Sequence, residues 1–205
     1  MNKDIIRVAC IGDSITFGYG LPDREVQSYP SCLQGLLGKG FEVINYGANG
    51  ASVLVVTGHP YGKTFEFQEM SESYADIYII ELGANDLLPG YIDRYEEAFI
   101  KDYGDLISLL KKEVGNPMIF ITSLTPQRRK TLPEQDFLTE WFDRLQGIIA
   151  RIARDNSVGL IDIYSPLASA MEESENLIPD GVHPGPEGAE IIAHTIFRAL
   201  YPTGE

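Results

Sequence analysis

The sequence predicts an α/β domain in which helices cover both faces of a parallel sheet. Short runs rich in Ile, Val and Phe, typical of buried strands, alternate along the chain with longer segments whose apolar residues recur at helical spacing. Strands separated by helices in this way form a parallel sheet with helices on its two faces. The 205-residue chain contains no internal repeat, low-complexity tract or long linker, so we expect a single domain over residues 1–205.

Apolar runs mark the predicted strands. They span residues 5–11, 41–45, 77–81, 118–122 and 159–163. The longest loops, residues 46–61 and 123–135, each follow one of these strands. An open parallel sheet binds ligands beyond the carboxyl ends of its strands, so both loops are expected on the functional side.

Helical spacing of apolar residues predicts the helices between and after the strands. In residues 136–153 these side chains step by one or three and give one continuous stripe, and residues 186–200 show the same pattern. A third stripe covers residues 94–112. The segments 28–38 and 62–73 are the remaining predicted helices.

The charge balance disfavours nucleic-acid and membrane partners. The chain carries 30 acidic and 16 basic side chains, a formal net charge of −14, and such a surface repels phosphate backbones and anionic headgroups. No apolar run approaches the roughly 20 residues that span a bilayer. The N-terminal apolar run is too short and interrupted for a secretion signal, so we expect a cytoplasmic protein unless such a signal has been removed.

No cofactor and no metal is expected from the motifs. The turn after the first strand lacks both the Gly-Lys-Ser/Thr ending of a phosphate loop and a GxGxxG pattern. The histidines and the two cysteines lack metal-ligand spacing. The acidic residues Asp13, Glu81 and Asp86 have no companions that complete a metal cluster.

A serine follows the first predicted strand within a tight turn, Gly12-Asp13-Ser14-Ile15. Ser14 could cap the following helix or act as a nucleophile, and the GxSxG elbow of α/β-hydrolases is absent. A serine nucleophile needs a base, and the base needs an orienting acid. His183, three residues after Asp180 in a loop with Gly and Pro, supplies such a pair, whereas His59 has no nearby acid.

Loops after the second and third strands contain groups that could stabilise an oxyanion. Residues 45–52 include glycines whose amides can approach a substrate closely. Residues 83–86, Gly-Ala-Asn-Asp, present the side-chain amide of Asn85. Glycine and asparagine are also common turn formers, so these residues by themselves leave both interpretations open.

Together, four segments resemble the SGNH hydrolases, the GDSL family of esterases and lipases. The matching blocks are Gly12 to Ile15, Asn45 to Gly50, Gly83 to Asp86 and Asp180 to Pro184. Their order and spacing match the family across almost the whole chain, and Ile15 replaces the leucine of the family name conservatively. The resemblance implies a flavodoxin-like three-layer sandwich of about five parallel strands.

The resemblance also implies a role for individual residues. The implied catalytic residues are the nucleophile Ser14, the general base His183 and its orienting acid Asp180, and the implied oxyanion donors are the Ser14 amide, the Gly50 amide and the Asn85 side chain. Gly50 is chosen over Gly47 because it lies five residues after Asn45 and two before Ser52, as in the family pattern.

A shorter match concerns the substrate. Residues 58–64, Gly-His-Pro-Tyr-Gly-Lys-Thr, with Phe67 beyond them, are similar to a loop of a GDSL subgroup that includes sialate O-acetylesterase-like and related carbohydrate acetylesterases. The residues expected to contact substrate are Asp13, His59, Tyr61 and Tyr91. The basic run of Arg128, Arg129 and Lys130 is either solvated or a subsite for a carboxylated sugar.

The resulting hypothesis is a cofactor-independent serine esterase that removes short acyl groups, above all acetyl groups from carbohydrates. Its expected partner is a small-molecule or oligosaccharide ester, and the sequence gives no oligomeric state. A lysophospholipase or thioesterase would use the same residues on longer acyl chains. A non-catalytic flavodoxin-like binding module is the alternative from another class, because a fold does not determine a function.

Overall fold

The fold is a parallel sheet of five strands in the order β2-β1-β3-β4-β5. The computed structural model describes residues 5–86, 91–113, 115–127, 135–174 and 176–201, with backbone alone for 91–92 and 135–139. The strands are β1 (Ile6–Gly12), β2 (Phe41–Gly47), β3 (Ile77–Glu81), β4 (Met118–Thr122) and β5 (Gly159–Ile161). The five predicted strands are confirmed, with β1 and β2 ending later and β5 earlier than expected.

Helices connect the strands and follow the last one. They are α1 (Ser14–Phe17), α2 (Arg24–Gln27), α3 (Tyr29–Leu37), α4 (Phe65–Ser71), α5 (Tyr91–Leu110), α6 (Gln135–Asp155), α7 (Tyr164–Glu173) and α8 (Pro186–Leu200). The helix expected over 62–73 is shorter, because Thr64 caps α4 by accepting from the Phe67 amide. Across the described residues, every helix is too short or too polar to traverse a bilayer.

Two hydrophobic cores lie on opposite faces of the sheet. Along β1, Ala9 and Ile11 pack into one core, whereas Val8 and Cys10 pack into the other, as the alternation of a strand requires. Helices α4, α5 and α6 cover the first face, and α3, α7 and α8 cover the second. This arrangement confirms the expected three-layer sandwich.

The register brings the carboxyl ends of three neighbouring strands together. Gly12, the last residue of β1, is paired with Gly47 at the end of β2 and with Glu81 at the end of β3. The Ala48 amide then donates to the Gly12 carbonyl at 2.9 Å, so the loop after β2 begins against the end of β1. The segments that follow β1, β2 and β3 therefore start side by side at one edge of the sheet.

Helix α1 lies directly against the strand ends, and glycine makes this approach possible. A Cβ at Gly47 would lie 2.2 Å from the Phe17 backbone nitrogen, and a Cβ at Gly12 would lie 1.9 Å from the Thr16 hydroxyl oxygen. Asn45 secures the contact, since its Nδ2 donates to the Thr16 carbonyl at 2.8 Å. Any side chain at Gly47 would have to push α1 away from the sheet.

Replacing Gly47 by alanine should therefore destabilise the fold. We expect the free energy of unfolding to fall by at least about 2 kcal/mol, because the new methyl group meets backbone that cannot rotate away. The control is Gly35→Ala in α3, where a Cβ meets nothing within 4 Å. Because alanine has the higher helix propensity, this substitution should raise the free energy of unfolding by as much as about 1 kcal/mol. Denaturant unfolding of both variants checks this, and an unchanged stability of Gly47→Ala would contradict it.

Candidate active site

Ser14 is the first residue of α1, and one residue, Asp13, separates it from the end of β1. The residue that caps α1 is Asp13, whose Oδ1 accepts from the Ile15 amide at 2.9 Å. The interpretation of Ser14 as a helix cap is therefore wrong, and its hydroxyl is left for another partner. That partner is His183, whose Nε2 lies 2.9 Å from the Ser14 Oγ.

Asp180 holds His183 from the other side of the imidazole. Its Oδ2 lies 2.6 Å from His183 Nδ1, and its Oδ1 accepts from the backbone amides of Val182 and His183 at 2.9 and 2.7 Å. Partial burial raises the pKa of Asp180, but its hydrogen bonds from His183 and Val182 outweigh burial and lower the pKa overall. An ionised carboxylate can only accept, so Nδ1 carries the proton and Nε2 can accept from Ser14.

The loop carrying this pair is anchored to the fold. The Gly181 amide donates to the Ile178 carbonyl at 3.0 Å, and the Gly185 amide donates to the Leu177 carbonyl at 2.8 Å. Leu177 and Ile178 are buried in a small core with Met171 of α7. The imidazole is therefore presented to Ser14 from a loop fixed at both ends.

Asn85 joins the three strand-end segments. Its Nδ2 donates to Asp13 Oδ2 at 3.1 Å and to the Ala51 carbonyl at 2.9 Å. Because both partners are acceptors, they fix which end of the side-chain amide carries the hydrogens. Gly50, next to Ala51, has a φ of 74°, a conformation that favours glycine. The structure thus brings Ser14, Asn85 and the Gly50 loop together at one sheet edge.

Two of the four residues expected to contact substrate lie inside the protein instead. Asp13 is fully buried, and its two oxygens accept from the Ile15 amide and from Asn85. Tyr61 is only 2% exposed, and its hydroxyl donates to the Tyr46 carbonyl at 2.8 Å. Both expectations are wrong because sequence pattern shows a polar group in a loop but not the direction of its side chain.

The other expected substrate contacts divide between the rim and undescribed parts of the chain. His59 is exposed, and its ring lies 3.9 Å from where a Cβ on Gly50 would stand, beside the candidate oxyanion loop. The side chain of Tyr91 and the run Arg128, Arg129 and Lys130 lie outside the described residues. Within the described part of the chain, no group of three or more His, Cys, Asp or Glu side chains could hold a metal ion.

A second buried carboxyl group stands beside Asp13. Glu81, the last residue of β3, is fully buried, and neither of its oxygens has a hydrogen-bond partner of good geometry among the described residues. Burial is the main cause, and the nearby Asp13 the second, of a Glu81 pKa raised well above its ordinary value. The Thr16 hydroxyl offsets only part of this increase. Burial and the neighbouring Asp13 therefore favour the protonated form of Glu81, which avoids two adjacent buried charges.

Asp86 fastens the loop after β2 to the loop after β3, a role that the sequence did not suggest. Its two oxygens accept from the Val53 and Leu54 amides at 2.9 and 3.0 Å. Burial raises its pKa to about 7, against the opposing effect of these two amides. The available signal was its place directly after Asn85, in a loop that follows a strand.

A serine, a histidine and an aspartate joined by hydrogen bonds at the carboxyl edge of a parallel sheet form an arrangement typical of serine hydrolases. The GDSL-like lipase/acylhydrolase family matches residues 10–191 of the chain. The chain therefore belongs to this family, and the resemblance carried by the four sequence blocks is confirmed.

Individual relatives include esterases of two kinds. An acetylxylan esterase of Xylanibacter ruminicola is 29% identical over 213 residues, which cover 97% of this chain but only 44% of that protein's length. An arylesterase of Vibrio mimicus is 26% identical over 197 residues, covering 95% of this chain and 88% of the relative. A solved structure of a carbohydrate acetylesterase family member from Sinorhizobium meliloti shares the fold, with a TM-score of 0.73 and 21% identity over 96% of this chain and 97% of that one.

The raised pKa of Asp86 predicts a pH dependence of stability. Between the unfolded value of about 3.9 and the folded value of about 7, the folded state keeps a proton that the unfolded state has released. Stability contributed by Asp86 should therefore be fully present below about pH 4 and be lost as the pH rises to about 7. Denaturant unfolding of the wild type and Asp86→Asn across this window tests the prediction, and a pH-independent difference between them would contradict it.

Proposed function

We propose that this chain is a serine esterase that hydrolyses short-chain acyl esters, above all acetyl groups on carbohydrates, through an acyl-enzyme on Ser14. The observation that carries the proposal is the relay of two hydrogen bonds, 2.9 Å from Ser14 to His183 and 2.6 Å from His183 to Asp180. An imidazole oriented in this way is the base that a serine nucleophile requires.

The reaction follows from the positions of these groups. Ser14 Oγ attacks the ester carbonyl carbon while His183 Nε2 takes the hydroxyl proton, and the carbonyl oxygen becomes an oxyanion. When this intermediate collapses, His183 returns the proton to the oxygen of the departing alcohol. Water then attacks the acyl-enzyme with His183 again as base, and the free acid leaves with Ser14 restored.

Three donors are proposed to stabilise the oxyanion: the Ser14 amide, the Gly50 amide and the Asn85 side chain. They belong to the three segments whose strands end in register, and donors aimed at a developing charge contribute strongly to catalysis. Asn85 already donates both of its amide hydrogens, to Asp13 and to Ala51. The oxyanion would therefore replace the Ala51 carbonyl as acceptor, while Asp13 keeps the amide oriented.

Two lines of support favour a short acyl group on a polar alcohol. The named activities of the relatives include acetylxylan esterase and carbohydrate acetylesterase, although the chain spans less than half the length of the acetylxylan esterase. At the rim, His59 adds an exposed polar ring next to Gly50. A polar rim suits the hydroxyl groups of a sugar better than a hydrocarbon chain.

Labelling of Ser14 tests the nucleophile. A fluorophosphonate should add once to the wild-type chain and not at all to Ser14→Ala, because the base and the oxyanion donors converge on this hydroxyl alone. The matched control is Ser165→Ala, since Ser165 also contacts a carboxylate, Asp162, at 2.6 Å. Intact-protein mass spectrometry gives the readout. Labelling of Ser14→Ala equal to that of the wild type would rule out the assignment.

Acyl length tests the substrate class. Acetyl p-nitrophenyl ester should exceed the octanoyl ester in kcat/KM by at least roughly tenfold, because carbons beyond a filled acyl pocket cost binding through overpacking. Initial rates with a series of acyl lengths give the answer. A preference for octanoyl would support the lysophospholipase or thioesterase hypothesis instead.

A further inference from the structure

Tyr19 stands at the rim of the candidate active site and has no assigned role. Helix α1 ends at Phe17, and the residue that caps its C-terminus, Gly18, has a left-handed conformation with φ of 87°. The Tyr19 amide then donates to the Ser14 carbonyl at 2.9 Å. The backbone of Tyr19 is therefore fixed to the residue that carries the nucleophile, one helical turn further along the chain.

The side chain of Tyr19 contacts the general base and still faces solvent. The centroids of the Tyr19 and His183 rings are 4.7 Å apart, with an angle of 48° between the ring planes. Tyr19 is 52% exposed, whereas the His183 side chain is only 19% exposed. About half of the Tyr19 surface is therefore open to solvent, on a side chain that contacts the imidazole.

The proton that His183 gives to the departing alcohol determines which part of the substrate would lie against Tyr19. His183 must protonate the oxygen of the departing alcohol, which requires about 2.6–3.2 Å between that oxygen and Nε2. The rest of the alcohol is bonded to that oxygen, so it extends next to the imidazole. Among the exposed aromatic side chains of the described residues, Tyr19 is the one whose ring contacts His183.

We propose that Tyr19 is a specificity-determining residue whose exposed ring binds the body of the leaving alcohol, with a sugar ring as the class of ligand. This inference rests on the proposed function. The flat phenol packs against the C–H face of a sugar, and its hydroxyl, which has no hydrogen-bond partner among the described residues, is available to a sugar hydroxyl.

The role is confined to one half of the reaction. During acylation the alcohol is still attached and can contact Tyr19. During deacylation the alcohol has left, and every acetyl ester passes through the same acetyl-enzyme. A difference between two acetyl esters in kcat/KM therefore reports on the leaving alcohol alone.

The experiment compares two acetyl esters, ethyl acetate and a monoacetylated methyl xyloside. Tyr19→Ala should lower kcat/KM for the xyloside by about tenfold and change it for ethyl acetate by less than about twofold, because ethanol is too small to cover the ring. Tyr19→Phe keeps the stacking surface and should recover most of the loss. The control is Tyr201→Ala, since Tyr201 is 45% exposed and packs against Phe41, at the opposite end of β2.

Each other outcome has a distinct meaning. An equal loss for both esters, with a shifted pH profile, would show that Tyr19 only holds His183 and would overturn the proposal. Unchanged hydrolysis of the xyloside by Tyr19→Ala would also overturn it. A wild-type chain that hydrolyses ethyl acetate but not the xyloside would contradict the carbohydrate substrate itself, and the proposal for Tyr19 would fall with it.

Discussion

The pairing of Gly12 with both Gly47 and Glu81 is the constraint on which the site depends. Because these parallel strands end in register, the segments that follow them begin at the same edge of the sheet. Three separate stretches of sequence therefore lie side by side. A shift by one residue in either pairing would turn each side chain of that strand to the other face. The positions of Ser14, Asn85 and the Gly50 loop are thus consequences of hydrogen bonding within the sheet.

Hydrogen bonds to buried carboxyl groups fix the positions of these neighbouring segments. Asp13 caps α1 and orients Asn85, and Asp86 holds the loop after β2 through two amides. Buried charges are costly unless hydrogen bonds satisfy them, and Asp13 and Asp86 have such bonds. Glu81 has none of good geometry among the described residues, and its raised pKa favours the protonated form, which avoids a second buried charge next to Asp13. The support beneath the site is therefore polar, buried and sensitive to protonation.

The strands could be predicted because buried parallel strands are apolar on both faces, and runs such as 77–81 have no other simple interpretation. Three of the four site blocks could be predicted because each follows a strand, whereas the block from Asp180 to Pro184 lies between α7 and α8 and was indicated by its pair of Asp and His. The helix α7 was missed, since only Leu167 and Met171 of it are buried and two residues make no clear stripe. Tyr19 was missed for a different reason, because its contact with His183 joins parts of the chain that only tertiary folding brings together.

The same limit explains the errors at Asp13 and Tyr61. A polar side chain in a loop can face substrate or satisfy a buried backbone group, and the sequence is the same in both cases. Asp13 satisfies the Ile15 amide, and Tyr61 satisfies the Tyr46 carbonyl. Their burial follows from the close packing of α1 and of the loop after β2, which the glycines at strand ends permit.

In the proposed mechanism, three strand ends in register place three donors around one oxygen next to Ser14. A crystal structure of the chain with a phosphonate bound covalently to Ser14 tests it directly, since the phosphoryl oxygen occupies the position of the oxyanion. We expect this oxygen at about 2.7–3.1 Å from the Ser14 amide, the Gly50 amide and Asn85 Nδ2, with the hydrogen bond from Asn85 to Ala51 broken and the one to Asp13 kept. An oxygen that points to solvent, with Asn85 still hydrogen-bonded to Ala51, would contradict this mechanism.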